Sequence, residues 1–316
     1  MGTVHHLLEA SGRQGALEAG IPRPVVDVAS IYMADEDSGI SFAFAGWSQT
    51  ALPHSRQPPS EAWSISSDNV RLIVEPGRRI IPGAADNVQP EFIGVPFGTH
   101  ARLILLFLQT EAIRTGCREV ELGGSLREWL AKIGVSYGGS TAKSVREQAE
   151  RISLCKMTFH FKAGRTTGLV NQTILDRALF IEQEGKDDGR QARISFEAAK
   201  LSEGFFEQLL RHPVPLEMAA IKALSKQAMA LDIYMWLVYR LHALSADRMV
   251  TWKALKSQFG SGFNEMHSFK TKFTRPDGPL AMALAAYPEA KVDVGKEGLT
   301  LKPSRPPVAV RAIARG

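Results

Sequence analysis

Residues 125–134 read SLREWLAKIG, and residues 251–260 read TWKALKSQFG. In both segments apolar residues stand one, five and eight positions before a closing glycine. That spacing places them on one face of a short helix that ends at the glycine. The apolar residues are Leu126, Trp129 and Ile133 in the first segment and Trp252, Leu255 and Phe259 in the second. The recurrence predicts that one helical unit occurs twice in the chain.

The flanking sequence repeats as well, because each short helix follows a long apolar helix and a short strand. The first copy is predicted as helix 100–115, strand 119–122, helix 141–154 and strands near 157–162, 178–182 and 192–197. The second copy is predicted as helix 227–244, strand 248–250, a helix with an apolar face, a helical remnant at 280–286 and a hairpin around 295–298. This order is typical of a winged helix-turn-helix. The expected fold class is α+β, with tandem winged helix-turn-helix domains.

Domain limits follow from these two copies. Residues 91–199 are expected to form the first winged-helix domain and residues 200–303 the second, with 304–316 as a basic tail. Residues 1–90 contain three prolines within a polar stretch and no long helical stripe, which predicts a largely irregular, partly disordered extension. Ser125 and Glu128 have the spacing of a capping box, which places a helix start at that serine.

Composition favours a polyanionic partner and an intracellular location. The net charge is +5, and it is distributed as −4 over residues 1–90, +2 over 91–199 and +7 over 200–316. The basic excess therefore lies where a phosphate backbone is expected to bind. The two cysteines, Cys117 and Cys155, are too few for a disulfide framework or a four-cysteine zinc site, and both are expected to be buried free thiols. With no signal peptide and no apolar run that spans a bilayer, the chain is expected to be cytoplasmic.

Two kinds of catalytic site were considered and are not supported. The run Gly138–Ser144 resembles part of a P-loop, but Ala142 stands in place of the glycine before Lys143. A rolling-circle nicking enzyme needs a tyrosine nucleophile and two histidines on one strand, whereas His160 has no second histidine beside it. We therefore expect a protein with no catalytic site, no metal and no cofactor.

The candidate DNA-binding residues lie on the second helix of each copy and on the hairpins. A helix in the major groove reads base edges with its polar face, while lysines and arginines at its margins hold phosphates. The predicted base readers are Asn264, His267 and Thr271. The predicted phosphate contacts are Lys143, Arg146, Lys270, Lys272 and Arg275 on the helices and Arg165, Lys291, Lys296 and Lys302 on the wings.

Specific strings in residues 94–156 resemble the RepA family of plasmid replication initiators. They are GVPFGTHARLIL from Gly94, QTEAIRT from Gln109, ELGGSL from Glu121, Gly138-Gly139 and REQAERI from Arg146. A looser likeness continues through residues 232–244, Trp252 and Phe269-Lys270, so that it covers about 90–303.

The resemblance implies a protein that binds repeated double-stranded sites, called iterons, at a plasmid origin. It also implies help in opening the duplex, recruitment of host DnaA and the DnaB helicase, and repression of the initiator's own gene. Two alternatives stay open: a winged-helix transcriptional repressor, and a rolling-circle nicking enzyme. The sequence does not decide between a monomer and a homodimer.

Overall fold

A computed structural model describes residues 3–35, 39–67, 70–80, 88–132, 134–136, 138–163, 166–172, 174–183 and 193–308. In chain order the helices are α1 (Thr3–Glu18), α2 (Arg23–Met33), α3 (Gly98–Thr115), α4 (Gly123–Lys132), α5 (Gly139–Leu154), α6 (Glu203–Arg211), α7 (Met218–Leu224), α8 (Ala228–Leu241), α9 (Trp252–Phe259), α10 (Met266–Thr274) and α11 (Pro279–Ala285).

The strands are β1 (Ile40–Phe44), β2 (Trp63–Ser66), β3 (Val70–Glu75), β4 (Arg78–Arg79), β5 (Glu91–Phe92), β6 (Glu119–Glu121), β7 (Lys156–Ala163), β8 (Thr166–Gln172), β9 (Leu175–Gln183), β10 (Arg193–Leu201), β11 (Pro213–Glu217), β12 (Arg248–Thr251), β13 (Lys291–Val294) and β14 (Gly298–Lys302). Helices and mostly antiparallel strands are mixed along the chain, so the fold class is α+β, as predicted.

The chain divides into two units. The terminal unit falls within residues 1–51, 65–68 and 213–316, and the central unit falls within 52–64 and 69–212. The boundary between them follows residue 212, rather than the predicted residue 199. The terminal unit also includes residues from both ends of the chain, which the predicted consecutive domains do not.

The core of the terminal unit surrounds α8. Nearly every side chain of this helix from Ala230 to Leu241 is buried, as expected for a helix that is apolar on all sides. Trp236 packs edge-on against Phe259 of α9, with ring centroids 5.6 Å apart. Tyr234 packs in the same way against Tyr287, at 6.2 Å. The long apolar helix predicted at 227–244 is confirmed.

The expectation that residues 1–90 are largely irregular is wrong for the described parts of that segment. Helices α1 and α2 are followed by β1, which pairs antiparallel with β11 from Ile40↔Glu217 to Phe44↔Pro213. His5 Nε2 lies 2.9 Å from the Ala285 carbonyl oxygen, and Val26 and Ala29 of α2 are fully buried. Helix α2 packs against α7 and α11, which follow much later in the chain. The apolar periodicity within residues 1–90 is therefore too weak to predict these helices and strands.

The central unit is built on α3, whose residues from Ala101 to Thr110 are all buried. Gly116 ends this helix with φ +63° and Gly134 follows α4 with φ +74°, in the left-handed region that glycine adopts at helix ends. Both glycine stops were predicted. The capping box was not found, because α4 begins at Gly123 and Ser125 therefore lies inside the helix.

The sheets of the central unit were predicted only in part. The alternation in β7 was recognised, but its partner strands β3 and β8 were missed. In β3 the residues Val70, Leu72 and Val74 are buried and alternate with more exposed ones, and this strand pairs with β7 from Val70↔Phe161 to Glu75↔Lys156. Cys155 is buried as expected, whereas Cys117 is exposed.

Candidate nucleic-acid interface

Two three-stranded sheets, one in each unit, have their strands in the same spatial order. In the terminal unit the order is β12-β14-β13, and in the central unit it is β6-β10-β9. In both, the first strand precedes two helices, and the last strand of the chain segment lies in the middle of the sheet. Helices α9, α10 and α11 stand between β12 and β13, whereas helices α4 and α5 are followed by strands β7 and β8 between β6 and β9. The two copies predicted from the sequence therefore share a strand order as well as a helix pattern.

In the terminal unit the hairpin predicted around residues 295–298 is present. Val292 pairs with Leu301 and Val294 with Leu299, and β14 continues the sheet by pairing Val250 with Leu299. The Gly295 N–H donates to the Gly298 carbonyl at 2.8 Å and closes the turn.

The inner side of α10 is aromatic. Phe269 and Phe273 are fully buried, with centroids 5.2 Å apart, and Phe273 lies 6.0 Å from Phe259 of α9. Helix α10 begins at Met266, so that Phe263 lies outside the helix. Phe263 instead packs edge-on against Phe269 from the preceding turn, at 5.7 Å. The aromatic contacts leave the other side of α10 to solvent.

The predicted base readers are exposed in this structure. His267 and Thr271 lie on the outer side of α10, and Asn264 is exposed in the bend before the helix starts. Their side chains are accessible to a ligand that lies along α10.

The predicted phosphate contacts of the terminal unit differ in their surroundings. Lys272 of α10 and Lys291 and Lys296 of the hairpin are exposed. Arg275 is also exposed, but its guanidinium donates to the Asp277 carboxylate at 2.8 and 2.5 Å, which raises the pKa of Arg275 and lowers that of Asp277. Lys302 is paired with Asp293 at 2.6 Å. Part of the positive charge at these two positions is therefore already compensated.

Lys270 is a predicted phosphate contact, and the structure also gives it a packing role. The side chain is half-buried, and its Nζ lies 5.4 Å from the centroid of the Trp252 ring. A lysine so placed is held by the electron-rich face of the indole. Lys253, which is not among the predicted contacts, is exposed on α9. Its position directly after Trp252, outside the apolar stripe, was the signal that could have identified it.

In the central unit, α5 has a buried and an exposed side. Val145, Ala149 and Ile152 are buried, while Lys143 and Arg146 are exposed as predicted. Arg165 lies outside the described residues. The strand pair that corresponds by order to β13–β14 is β9–β10, whereas residue 165 falls between β7 and β8.

Helix α5 is held by hydrogen bonds to the segment 95–100. The Phe97 N–H donates to Gln148 Oε1 at 2.8 Å, and Arg151 Nη1 donates to the Val95 carbonyl at 2.8 Å. His100 Nδ1 lies 2.8 Å from Ser144 Oγ, and burial lowers the pKa of this histidine. These contacts come from three successive turns of α5 and fix both its position and its rotation.

Gly94 allows the segment 95–100 to approach α5 closely. Gly94 has φ +78°, and a Cβ there would lie 2.5 Å from Arg151 Nη1, so that a larger residue would collide with the guanidinium. Arg151 also donates to Glu147 at 2.8 Å and lies 5.1 Å from the centroid of the Phe97 ring. Much of the string GVPFGTHARLIL therefore has a structural role in supporting α5.

The described residues contain no group of three or more His, Cys, Asp or Glu side chains that could hold a metal ion. In the same residues, no helix is both long enough and apolar enough to cross a membrane.

The family of plasmid encoded RepA proteins matches residues 95–254, a segment that includes α3, α4, α5 and their sheet. This match covers half of the chain, which therefore belongs to that family. At this level the chain is a protein of plasmid replication initiation.

Two solved structures of domains 2 and 3 of RctB are similar to the chain at 16% identity. Each covers 74% of the chain, with 83% and 82% of the RctB chains covered, and the TM-scores are 0.47 and 0.42. At these TM-scores the likeness defines neither the fold nor a function. No curated protein matches the chain.

Proposed function

We propose that this chain is a non-catalytic replication initiator that binds iterons in double-stranded origin DNA through two winged-helix domains. The observation that carries the proposal is the shared strand order, β6-β10-β9 and β12-β14-β13, with a helix pair, α4–α5 or α9–α10, directly after the first strand of each copy. In a winged helix-turn-helix the second of these helices enters the major groove and the hairpin contacts the backbone. We assign α5 and α10 to the groove, and the β9–β10 and β13–β14 hairpins to the wings.

The charge and exposure of α10 support this assignment. An exposed polar side with His267, Thr271 and Lys272 stands opposite a fully buried aromatic side, so the outer residues have no part in the core. Base edges offer donors and acceptors to such side chains, and lysines at the margin attract phosphates. Lys291 and Lys296 extend the basic surface onto the hairpin.

Helix α8 contains two tyrosines, Tyr234 and the half-buried Tyr239, and the surroundings of Tyr234 argue against it as a nicking nucleophile. Tyr234 is fully buried, and its hydroxyl oxygen accepts a hydrogen bond from the Glu217 N–H at 3.1 Å. Burial raises the pKa of Tyr234 well above its ordinary value, which disfavours the phenolate. A nicking nucleophile has to reach a phosphodiester, and this hydroxyl does not reach solvent.

The later steps of initiation are proposed from the family resemblance. They are assistance in opening the origin, contacts with DnaA and the DnaB helicase, and repression of the chain's own gene. We place these activities on the full chain and assign no residues to them. We include a homodimer in the proposal as one oligomeric form of the protein.

The test has a binding part and a replication part. A gel-shift titration with DNA from beside the gene should show specific binding, with a log–log salt slope steeper than about −3, because each neutralised phosphate contributes about −0.9. A plasmid that carries only this gene and its flanking DNA should be maintained autonomously. Specific binding without maintenance would favour the repressor. Relaxation of supercoiled plasmid by the protein and a divalent metal would favour the nicking enzyme.

A further inference from the structure

Trp252 connects the start of α9 to the turn of the β13–β14 hairpin. Its indole Nε1–H donates to the carbonyl oxygens of Gly295 and Lys296, at 3.2 and 3.0 Å. Its backbone N–H donates to the Glu297 carbonyl at 3.0 Å. One residue, only 5% exposed, thus contacts three consecutive carbonyls of the turn.

The same indole also contacts α10. Lys270 Nζ lies 5.4 Å from the ring centroid, and the Phe273 ring stands at 83° to the indole with centroids 6.2 Å apart. A single side chain therefore lies between the helix assigned to the groove and the hairpin assigned to the wing.

Gly298 lets the hairpin approach closely. A Cβ at this position would lie 2.0 Å from the Val250 carbonyl oxygen and 2.8 Å from Thr251 Cα. Both contacts are with backbone, which cannot move aside as a flexible side chain can. The turn is thus held against the junction of β12 and α9 by a glycine on one side and by Trp252 on the other.

We propose that Trp252 is a positioning residue for DNA binding, which holds Lys296 at a fixed distance from Lys272 on α10. This inference rests on the proposed function. Phosphates follow each other at regular spacing along a strand, and a turn that is ordered before binding loses less conformational freedom on contact. Trp252 touches no DNA in this proposal and acts through Lys296.

The test is a double-mutant cycle on binding to the origin fragment. Lys296→Ala should weaken binding on the order of tenfold near 0.1 M salt and reduce the salt slope by about 0.9, the effect of one phosphate contact. Trp252→Phe keeps an aromatic ring and removes the N–H, and should weaken binding roughly three- to tenfold. In the Lys296→Ala background, Trp252→Phe should change affinity by less than about twofold, because the two substitutions remove the same contact.

Trp129→Phe is the matched control. The Trp129 Nε1 is buried and has no hydrogen-bond partner, so that removing it should leave binding unchanged. If Trp252→Phe weakens binding equally with and without Lys296, or leaves it unchanged, the proposal is wrong. If Trp252→Phe does not fold, 3-benzothienylalanine at position 252 retains the bicyclic ring, lacks the N–H and enters the same cycle.

A measurement without DNA separates this proposal from the proposed function. The Gly295 amide, which closes the turn, should exchange with solvent faster in Trp252→Phe than in the parent or in Trp129→Phe. Unchanged exchange overturns the positioning role even if the parent binds DNA. Failure of the parent to bind, with faster exchange in the variant, contradicts the proposed function and leaves the link between Trp252 and the turn intact.

Discussion

Helices α10 and α5 occupy corresponding places in the two copies, but they are held in different ways. The inner side of α10 packs against aromatic rings, with Phe269 and Phe273 fully buried. Helix α5 has an aliphatic inner side and is oriented by polar contacts of Ser144, Gln148 and Arg151 to one preceding segment. Apolar burial stabilises a helix without specifying its rotation closely, whereas hydrogen bonds are directional. The terminal copy is thus built for stability, and the central copy for a defined orientation.

The largest effect is expected from the aromatic side of α10. Phe269→Ala should lower the free energy of unfolding by roughly 3–5 kcal/mol, because it leaves a cavity beside Phe273. Phe263→Ala, at a half-buried ring before the helix, should cost clearly less. Thermal melts with hydrogen exchange of α10 amides measure both variants. Equal losses would contradict the distinction between a core ring and a covering ring.

The second-largest loss of stability is expected when the hydrogen bonds that hold α5 are removed. Arg151→Met removes a buried guanidinium and leaves the Val95 carbonyl and Glu147 without that partner, which should cost roughly 2–4 kcal/mol. Arg56→Met is the matched control, because Arg56 also pairs with Glu147, at 2.6 Å, but its side chain is 58% exposed. We expect less than about 1 kcal/mol there. Protection of α5 amides from exchange should fall in Arg151→Met, and retained protection would show that the segment 95–100 does not hold this helix.

A binding measurement compares the outer sides of the two helices. Lys272→Ala on α10 and Lys143→Ala on α5 should each reduce the salt slope by about 1 and weaken binding similarly across DNA sequences. Stability should change by no more than about 0.5 kcal/mol, because both side chains are exposed. Lys226→Ala, between α7 and α8, removes the same charge outside both copies and serves as the control. A normal slope for Lys143→Ala alone would leave α10 as the binding helix and remove α5 from the interface.

The smallest effect concerns pH and the contact between His100 and Ser144. Burial lowers the pKa of His100 in the folded chain, so the unfolded chain binds a proton more readily, and stability is lost as pH falls through about 6.5. His100→Asn should therefore show a smaller decrease in Tm between pH 7.5 and 5.5 than the parent. His267→Asn, at an exposed position on α10, should keep the parent's dependence. An unchanged pH profile in His100→Asn would exclude this histidine as a contributor.

Features specified by neighbouring residues were predictable from the sequence. The stripes around Trp129 and Trp252, the stop at Gly134 and the position of the final hairpin each depend on a short stretch of chain. Exposure of His267 and Lys272 followed from the same periodicity. The tandem arrangement was read from the same patterns and remains a proposal.

Contacts between distant segments could not be predicted in this way. The pairing of β1 with β11 depends on residues far apart in the chain, so that the first 51 residues looked irregular. The packing of Lys270 against Trp252 is not predictable, because nothing in the sequence of α10 shows that the indole lies beside it. Gln148 and Arg151 belong to the string REQAERI, which resembles the RepA family. The sequence does not show which residues they contact.

The terminal unit contains residues from both ends of the chain, so that its parts are synthesised at different times. Tyr32 donates to the Glu217 carboxylate at 2.8 Å across 185 positions of sequence, and β1 pairs with β11. A ribosome that synthesises the chain releases α1, α2 and β1 first and the central unit next, before the segments that cover the N-terminal helices exist. The central unit can therefore fold while the N-terminal helices still lack their partners. The slow step of folding should be the packing of the N-terminal helices against these later segments. This step requires closure of a loop as long as the entire central unit.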